Sequence, residues 1–135
     1  MSDIRSFEDL ECWKKARDLR KEISKIIKLF PSFEKFELVS QMRRASRSVT
    51  HNISEGYGRF HFRENAQFCR IARGSLHEII DQLITANDDE YINDERFLKL
   101  KSMTIECITI LNGYIKYLIK NANKKLVKNS LIIFN

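Results

Sequence analysis

Apolar residues return every three or four positions through most of this chain, the spacing that stacks side chains on one face of an α-helix. In the first segment Cys12, Ala16, Leu19, Ile23, Ile26 and Phe30 make such a stripe, widened by Trp13 and Ile27. Ser6 with Asp9 three residues on is a capping-box pattern and predicts the start of this helix. Pro31 predicts its end, because the ring cannot continue the hydrogen-bond ladder. A second stripe runs through Val39, Met42, Ser46, Val49 and Ile53. It predicts a helix from just after Pro31-Ser32 to Gly56, with Gly56 adopting the positive φ of a helix stop. Tyr57 to His61 are then a turn. The third stripe is Phe62, Ala66, Cys69, Ala72, Leu76, Ile79, Leu83 and Ala86, failing at Asp88-Asp89-Glu90, where acids crowd the negative end of the helix dipole. Asn93 predicts the cap of a fourth helix, striped by Phe97, Leu100, Thr104, Cys107 or Ile108, Leu111, Tyr114 or Ile115, and Leu118.

Four amphipathic helices with short links predict an all-α, antiparallel up-down-up-down four-helix bundle over residues 1–121. Beyond Asn121 the chain reads NKKLVKNSLIIFN, which predicts a mobile basic C-terminal tail over residues 122–135. Gly74 and Gly113 fall inside helices, where glycine costs about 1 kcal/mol against alanine. Close backbone approach of a neighbouring helix is the expected compensation, ahead of a ligand cavity. Ile105, Ile110 and Ile119 lie outside the main stripe of the fourth helix, surplus apolar surface that suggests contact with another subunit.

Composition narrows the partners. The chain has 135 residues, a single domain's worth, with one proline and four glycines to interrupt it. A net charge of +6 and a pI near 9.3 favour acidic partners, nucleic acid ahead of anionic membrane, with plain solubility as the alternative. No signal peptide opens the chain, and no apolar run reaches the roughly 20 residues of a membrane span. Cys12, Cys69 and Cys107 are an odd set without a CxxC pair, and each lies on an apolar stripe. Buried free thiols and a reducing cytoplasm are the expectation.

Charge is distributed in blocks. Between Phe36 and Arg73 every basic residue is arginine: Arg43, Arg44, Arg47, Arg59, Arg63, Arg70 and Arg73, opposed only by Glu37, Glu55 and Glu64. From Gly74 to Glu95 the sign reverses, with acids and no base. Arginine's planar fork grips phosphates and carboxylates alike, so the arginines either hold a nucleic-acid backbone or pair with acids of the same or an adjacent subunit. Gln41, Arg43, Arg47, Asn52 and Glu55, closed by Gly56, are expected to form a polar network fixing the second helix against a partner. Arg44, Arg59, Arg63, Arg70 and Arg73 are the expected nucleic-acid contacts. Lys14, Lys15, Lys21, Lys25 and Lys28 fit a solvated face, whereas Lys116, Lys120, Lys124, Lys125 and Lys128 add phosphate affinity.

Catalytic patterns are wanting. No Glu-x-x-His pair suits a di-iron bundle, and His51 with Glu55 four residues on is more often a surface contact than a metal site. His61 and His77 lack ligand spacing with the cysteines. Gly56-Tyr57-Gly58 has neither the preceding strand nor the GK[ST] of a phosphate loop. No nucleophile has an identifiable base and orienting acid. The reading is a non-enzyme without metal or cofactor.

Several stretches together resemble one family. They are Phe7-Glu8-Asp9-Leu10, Trp13-Lys14-Lys15-Ala16, Gln41-Met42-Arg43-Arg44-Ala45, Asn52-Ile53-Ser54-Glu55-Gly56-Tyr57-Gly58-Arg59, and Gly74-Ser75-Leu76-His77-Glu78 with Gln82-Leu83. The chain resembles, over about residues 5 to 120, the four-helix-bundle proteins encoded in intervening sequences of bacterial 23S rRNA genes, also labelled S23 ribosomal protein. The resemblance implies a homopentameric ring. A related branch, the accessory protein of diversity-generating retroelements, implies a basic pentamer engaging reverse transcriptase and nucleic acid. Thr50 stands where many relatives have proline, which implies a less kinked second helix here.

Two functions follow. One is a non-enzymatic oligomer binding RNA or DNA through its arginine-rich surfaces. The other is a protein-interaction scaffold, an accessory subunit in which the arginines make structural or subunit salt bridges.

Overall fold

The computed structural model describes residues 4–134, with side-chain surroundings for residues 4–129. Four α-helices carry the fold: α1 Glu11–Ile27, α2 Leu38–Gly58, α3 Phe62–Asp88 and α4 Asp94–Phe134. Short 3-10 turns at Phe7–Asp9 and Ser32–Glu34 precede α1 and α2, and no strand occurs among the described residues. The helices pack in a cycle, α1 on α2, α2 on α3, α3 on α4 and α4 back on α1, around one core. Every stripe residue read from the sequence in α1, α2 and α3 is buried apart from Phe62 and the flanking Trp13. Leu100, Thr104, Cys107, Leu111, Ile115 and Leu118 supply the wall from α4.

Paired contacts run in opposite chain order. Arg63 meets Asn123 and Arg73 meets Asn112 between α3 and α4. Ser48 meets Ser75 between α2 and α3, and Gly56 lies against Asn65 and Phe68.

Helix limits shift in several places from the sequence reading. The Ser6 capping box is present but closes the 3-10 turn, and α1 begins at Glu11 behind Leu10. α1 stops at Ile27, ahead of Pro31: the Leu29 and Phe30 amides close it with i−3 bonds to the Ile26 and Ile27 carbonyls, and the residue before proline is disfavoured from helical backbone. α2 begins at Leu38, later than expected, and runs on to Gly58. No glycine takes a positive φ; Phe60 does so, at 59°, in the turn before α3. Gly56 instead permits close helix packing, as a β-carbon there would sit 2.7 Å from Asn65 Oδ1. Gly74 and Gly113 have nothing within 4 Å of such a carbon, so the close approach expected there does not occur.

The largest departure is at the C-terminus. α4 does not give way to a tail at Asn121 but continues to Phe134. Asn121 to Asn135 contains neither glycine nor proline, the two residues that break a helix most strongly, although four of its positions are asparagine. Ala122 is the last buried residue, and residues 123–129 are exposed. Of the residues expected to add surplus apolar surface to α4, Ile110 and Ile119 pack partly on the core and Ile105 remains exposed; Leu98, Tyr117, Leu126 and Val127 are exposed as well.

Both ends of the helix cluster are tied by polar contacts. At one, Tyr91 Oη donates to Glu34 Oε2 at 2.9 Å, joining the α3–α4 link to the α1–α2 link, and the Phe30 and Tyr91 rings lie 5.2 Å apart. Asn93 caps α4 as expected, its Oδ1 accepting from the Arg96 amide at 2.8 Å. At the other, Asn65 Nδ2 donates to Tyr114 Oη at 3.1 Å, tying α3 to α4 beneath Gly56.

Candidate nucleic-acid interface

The basic residues separate into three environments. Arg59 is the most restrained. Its guanidinium meets Glu55 at 2.9 Å and Glu64 at 3.4 Å and lies over the Phe68 ring. Two carboxylates neutralise it locally, so it is the weakest of the expected phosphate contacts.

Arg63 and Arg73 are positioned but not neutralised. Arg63 Nη2 donates to Asn123 Oδ1 at 3.2 Å, and Arg73 Nη1 donates to Asn112 Oδ1 at 2.9 Å. Asparagine oxygen orients a guanidinium without cancelling its charge. Arg70 is exposed between them on α3, and by the same pairing order falls level with Lys116 on α4. No acid occurs in residues 65–77 of α3 or 107–129 of α4. The reversed chain order therefore lines the basic half of α3 against the basic half of α4. The acidic half of α3 lies beside the first turns of α4, where Arg96, Lys99 and Lys101 offset it. Between α3 and α4 the Arg63–Arg73 seam therefore keeps a positive field that no acid of the facing segment offsets.

The third group covers the outer face of α2. Ser40, Arg43, Arg44, Arg47, Ser48, His51 and Asn52 line a shallow depression of about 450 Å³. Arg44 and Arg47 are exposed and Arg43 half-buried, and none has an ion pair among the described residues. The polar network expected from Gln41 to Glu55 does not form within the chain. Asn52 Nδ2 turns back to Ser48, to its carbonyl at 2.8 Å and its Oγ at 3.0 Å. Glu55 pairs with Arg59, and Gln41 is exposed. Arg43 and Glu55 stand about 18 Å apart along the helix axis, beyond the reach of their side chains.

Some supporting residues had no signal in the chain. Arg20 Nη1 donates to the buried Thr50 Oγ1 at 2.8 Å, across α1 and α2. Thr50 otherwise bonds back to the Arg47 carbonyl, and α2 runs unbroken through it. Asn112 and Asn123 were overlooked, although eleven residues apart on one helix they share a face.

The buried thiols and the half-buried Tyr91 and Tyr114 phenols are held in their neutral forms. Burial pushes the Cys12, Cys69 and Cys107 thiols up to about 12, and all are free. Burial likewise raises the Tyr114 phenol. Burial, then the Glu34 hydrogen bond, pushes the Tyr91 phenol up to about 12. Lys15 is raised by its hydrogen bond to Glu106 at 3.3 Å across α1 and α4, so it is not merely solvated. Among the described residues no group of three His, Cys, Asp or Glu is placed to hold a metal ion. None of the helices among them is long and apolar enough to cross a membrane.

Comparison with known proteins fits this architecture. A crystal structure of a protein with unknown function from the S23 ribosomal protein family of Bacteroides thetaiotaomicron VPI-5482 superposes with a TM-score of 0.72 at 22% identity. The match covers 78% of this chain and 95% of that one, and shows the shared fold. No curated protein matches the chain. The family model of the 23S rRNA-intervening sequence protein matches residues 8–113, which span α1 to α3 and the first half of α4. The chain therefore belongs to the 23S rRNA-intervening sequence protein family.

Proposed function

We propose that this protein is a non-enzymatic nucleic-acid-binding protein of the reducing cytoplasm, holding RNA or DNA by its phosphate backbone. One observation carries the reading. Arg63 and Arg73 are fixed by neutral asparagines beside Arg70 and Lys116, on a seam whose neighbouring carboxylate, Glu64, is turned onto Arg59. Positioned cations without internal counter-charges are what a polyanion requires. Arg44 on the outer face of α2 adds a second contact region, and Arg59 contributes least. The opposed order of the inter-helix contacts supports an antiparallel up-down-up-down bundle. Assembly into a homopentameric ring would repeat each seam around an axis, so that modest contacts add through avidity.

The test is binding of labelled RNA and duplex DNA across a salt series, with solution mass measured on the same sample. Affinity falls steeply with salt. Arg70→Glu with Lys116→Glu, both exposed and free of internal hydrogen bonds, shrinks the log–log slope by about 2 and leaves helicity intact. Flat, negligible binding by well-folded protein refutes the reading, as does an unchanged slope in the double variant.

A scaffold reading has one observation in its favour. An apolar groove of about 550 Å³ lies between the N-terminal segment and α4, lined by Ile4, Leu10, Cys12, Ile110, Tyr114 and Tyr117. It suits a protein contact, from a second copy or another subunit, better than a phosphate.

A further inference from the structure

We infer that the corner where the α2–α3 turn meets α4 is a stacking platform for unpaired bases, so that the seam takes single-stranded nucleic acid rather than duplex. This inference rests on the nucleic-acid reading above. Its starting point is Phe60, which combines two properties that natural turns avoid. Its φ of 59° lies in the left-handed region, which favours glycine, and the residue is 84% exposed. Backbone and solvent both argue against phenylalanine there. Its aromatic pairing among the described residues is with Tyr57, tilted at a centroid distance of 6.4 Å, and leaves the residue largely in solvent. An outward aromatic held by a strained turn is a feature in search of a ligand face.

The surroundings indicate what that ligand is. Beside Phe60, the half-exposed Phe62 joins His61, Arg63, Lys125, Leu126 and Asn129 around a groove of about 200 Å³. No carboxylate lines it. Arg63, held by Asn123, stands both at this groove and at the end of the arginine seam, so the two surfaces are continuous. Lys124 and Lys128 are exposed on the same turns of α4. The prolongation of α4 past the buried core at Ala122 is what brings these lysines alongside the turn. Sites for single strands combine an electropositive track for the backbone with aromatic faces on which bases stack. A duplex hides its base faces and would use the cations alone. A protein segment would use both rings and cations only if it paired aromatic or apolar side chains with carboxylates, whereas any single-stranded nucleic acid carries bases and phosphates together.

The test uses the full chain and a fluorescein-labelled oligouridylate of about 12 nucleotides, a length within the span of one small single-strand site, beside an RNA duplex. Phe60→Gly removes the ring and also relieves the left-handed backbone, so the variant folds at least as well as the parent. It binds the oligouridylate at least about fivefold more weakly, the lower limit for deleting one stacking aromatic, while duplex affinity is unchanged. Phe60→Trp restores single-strand binding. Equal oligouridylate affinity in parent and Phe60→Gly overturns the platform while leaving the seam standing. An equal loss on single strand and duplex overturns it too, since stacking on exposed bases cannot serve a duplex. Parent protein that binds neither probe overturns both readings and makes the aromatic corner a protein contact.

Discussion

Gly56→Ala is the sharpest probe of how this fold is held together. Alanine is the better helix former by about 1 kcal/mol, so on propensity alone the change stabilises α2. Packing opposes it. The new methyl would lie 2.7 Å from Asn65 Oδ1, 2.9 Å from Phe68 Cβ and 3.0 Å from the Asn65 carbonyl oxygen. Two of those three atoms belong to the backbone or to a β-carbon, so α2 and α3 must part by several tenths of an ångström. Overpacking of this kind costs about 1–3 kcal/mol. Asn65 cannot move without loss, because its Nδ2 donates to Tyr114 Oη at 3.1 Å and its Oδ1 accepts from Cys69 Sγ at 3.5 Å. Disturbing those buried partners adds about 1–3 kcal/mol. Net of the helix gain, Gly56→Ala destabilises by about 1–5 kcal/mol, which lowers Tm by roughly 3–6 °C per kcal/mol in a chain of this size. Gly74→Ala is the internal control: nothing lies within 4 Å of its added methyl, so stability rises by up to about 1 kcal/mol. Both are read by thermal and urea unfolding followed by circular dichroism. Gly56→Ala as stable as the parent, alongside a stabilised Gly74→Ala, would refute the close contact between α2 and α3.

Three further outcomes test other parts of the structure. Tyr91→Phe strips the buried Glu34 carboxylate of its phenol donor and lowers stability by about 1–3 kcal/mol in urea unfolding; no change would mean that the 2.9 Å contact carries nothing. The three thiols titrate near 12 when folded against an ordinary value of 9.0, so the unfolded chain releases their protons first. Their contribution is complete below about pH 9 and is lost as pH rises towards 12, and native protein at about pH 8 reacts slowly with Ellman's reagent until denatured. Rapid native labelling of all three would contradict their burial. Removing residues 124–135 lowers total ellipticity per chain, because residues up to Phe134 belong to α4; an unchanged total would return that segment to coil.

The amino-acid sequence by itself determined the helices and most of their inward faces. A 3.6-residue repeat admits only one kind of element, and burial then follows for Leu19, Ile53, Leu76 and Leu111 without knowledge of what they touch. Helix ends were less legible, since competing local signals set them: Pro31 acted through the residue before it, and Gly56 looked like a stop because glycine tolerates positive φ. Its use here is the absence of a side chain against Asn65, a fact about α3 that α2 cannot contain. The end of α4 was not legible because the apolar rhythm lapses there, whereas the contacts that accompany the helix beyond Ala122, such as Asn123 with Arg63, come from α3. The candidate interface was legible as charge but not as place. Sequence shows blocks of arginine, acid and lysine. Only the fold sets the arginines of α3 beside the lysines of α4, turns Glu55 and Glu64 onto Arg59, and leaves Arg63 and Arg73 on neutral asparagines. Charge adds up along a chain, but a field depends on distances, and those between residues tens of positions apart exist only once the helices have packed.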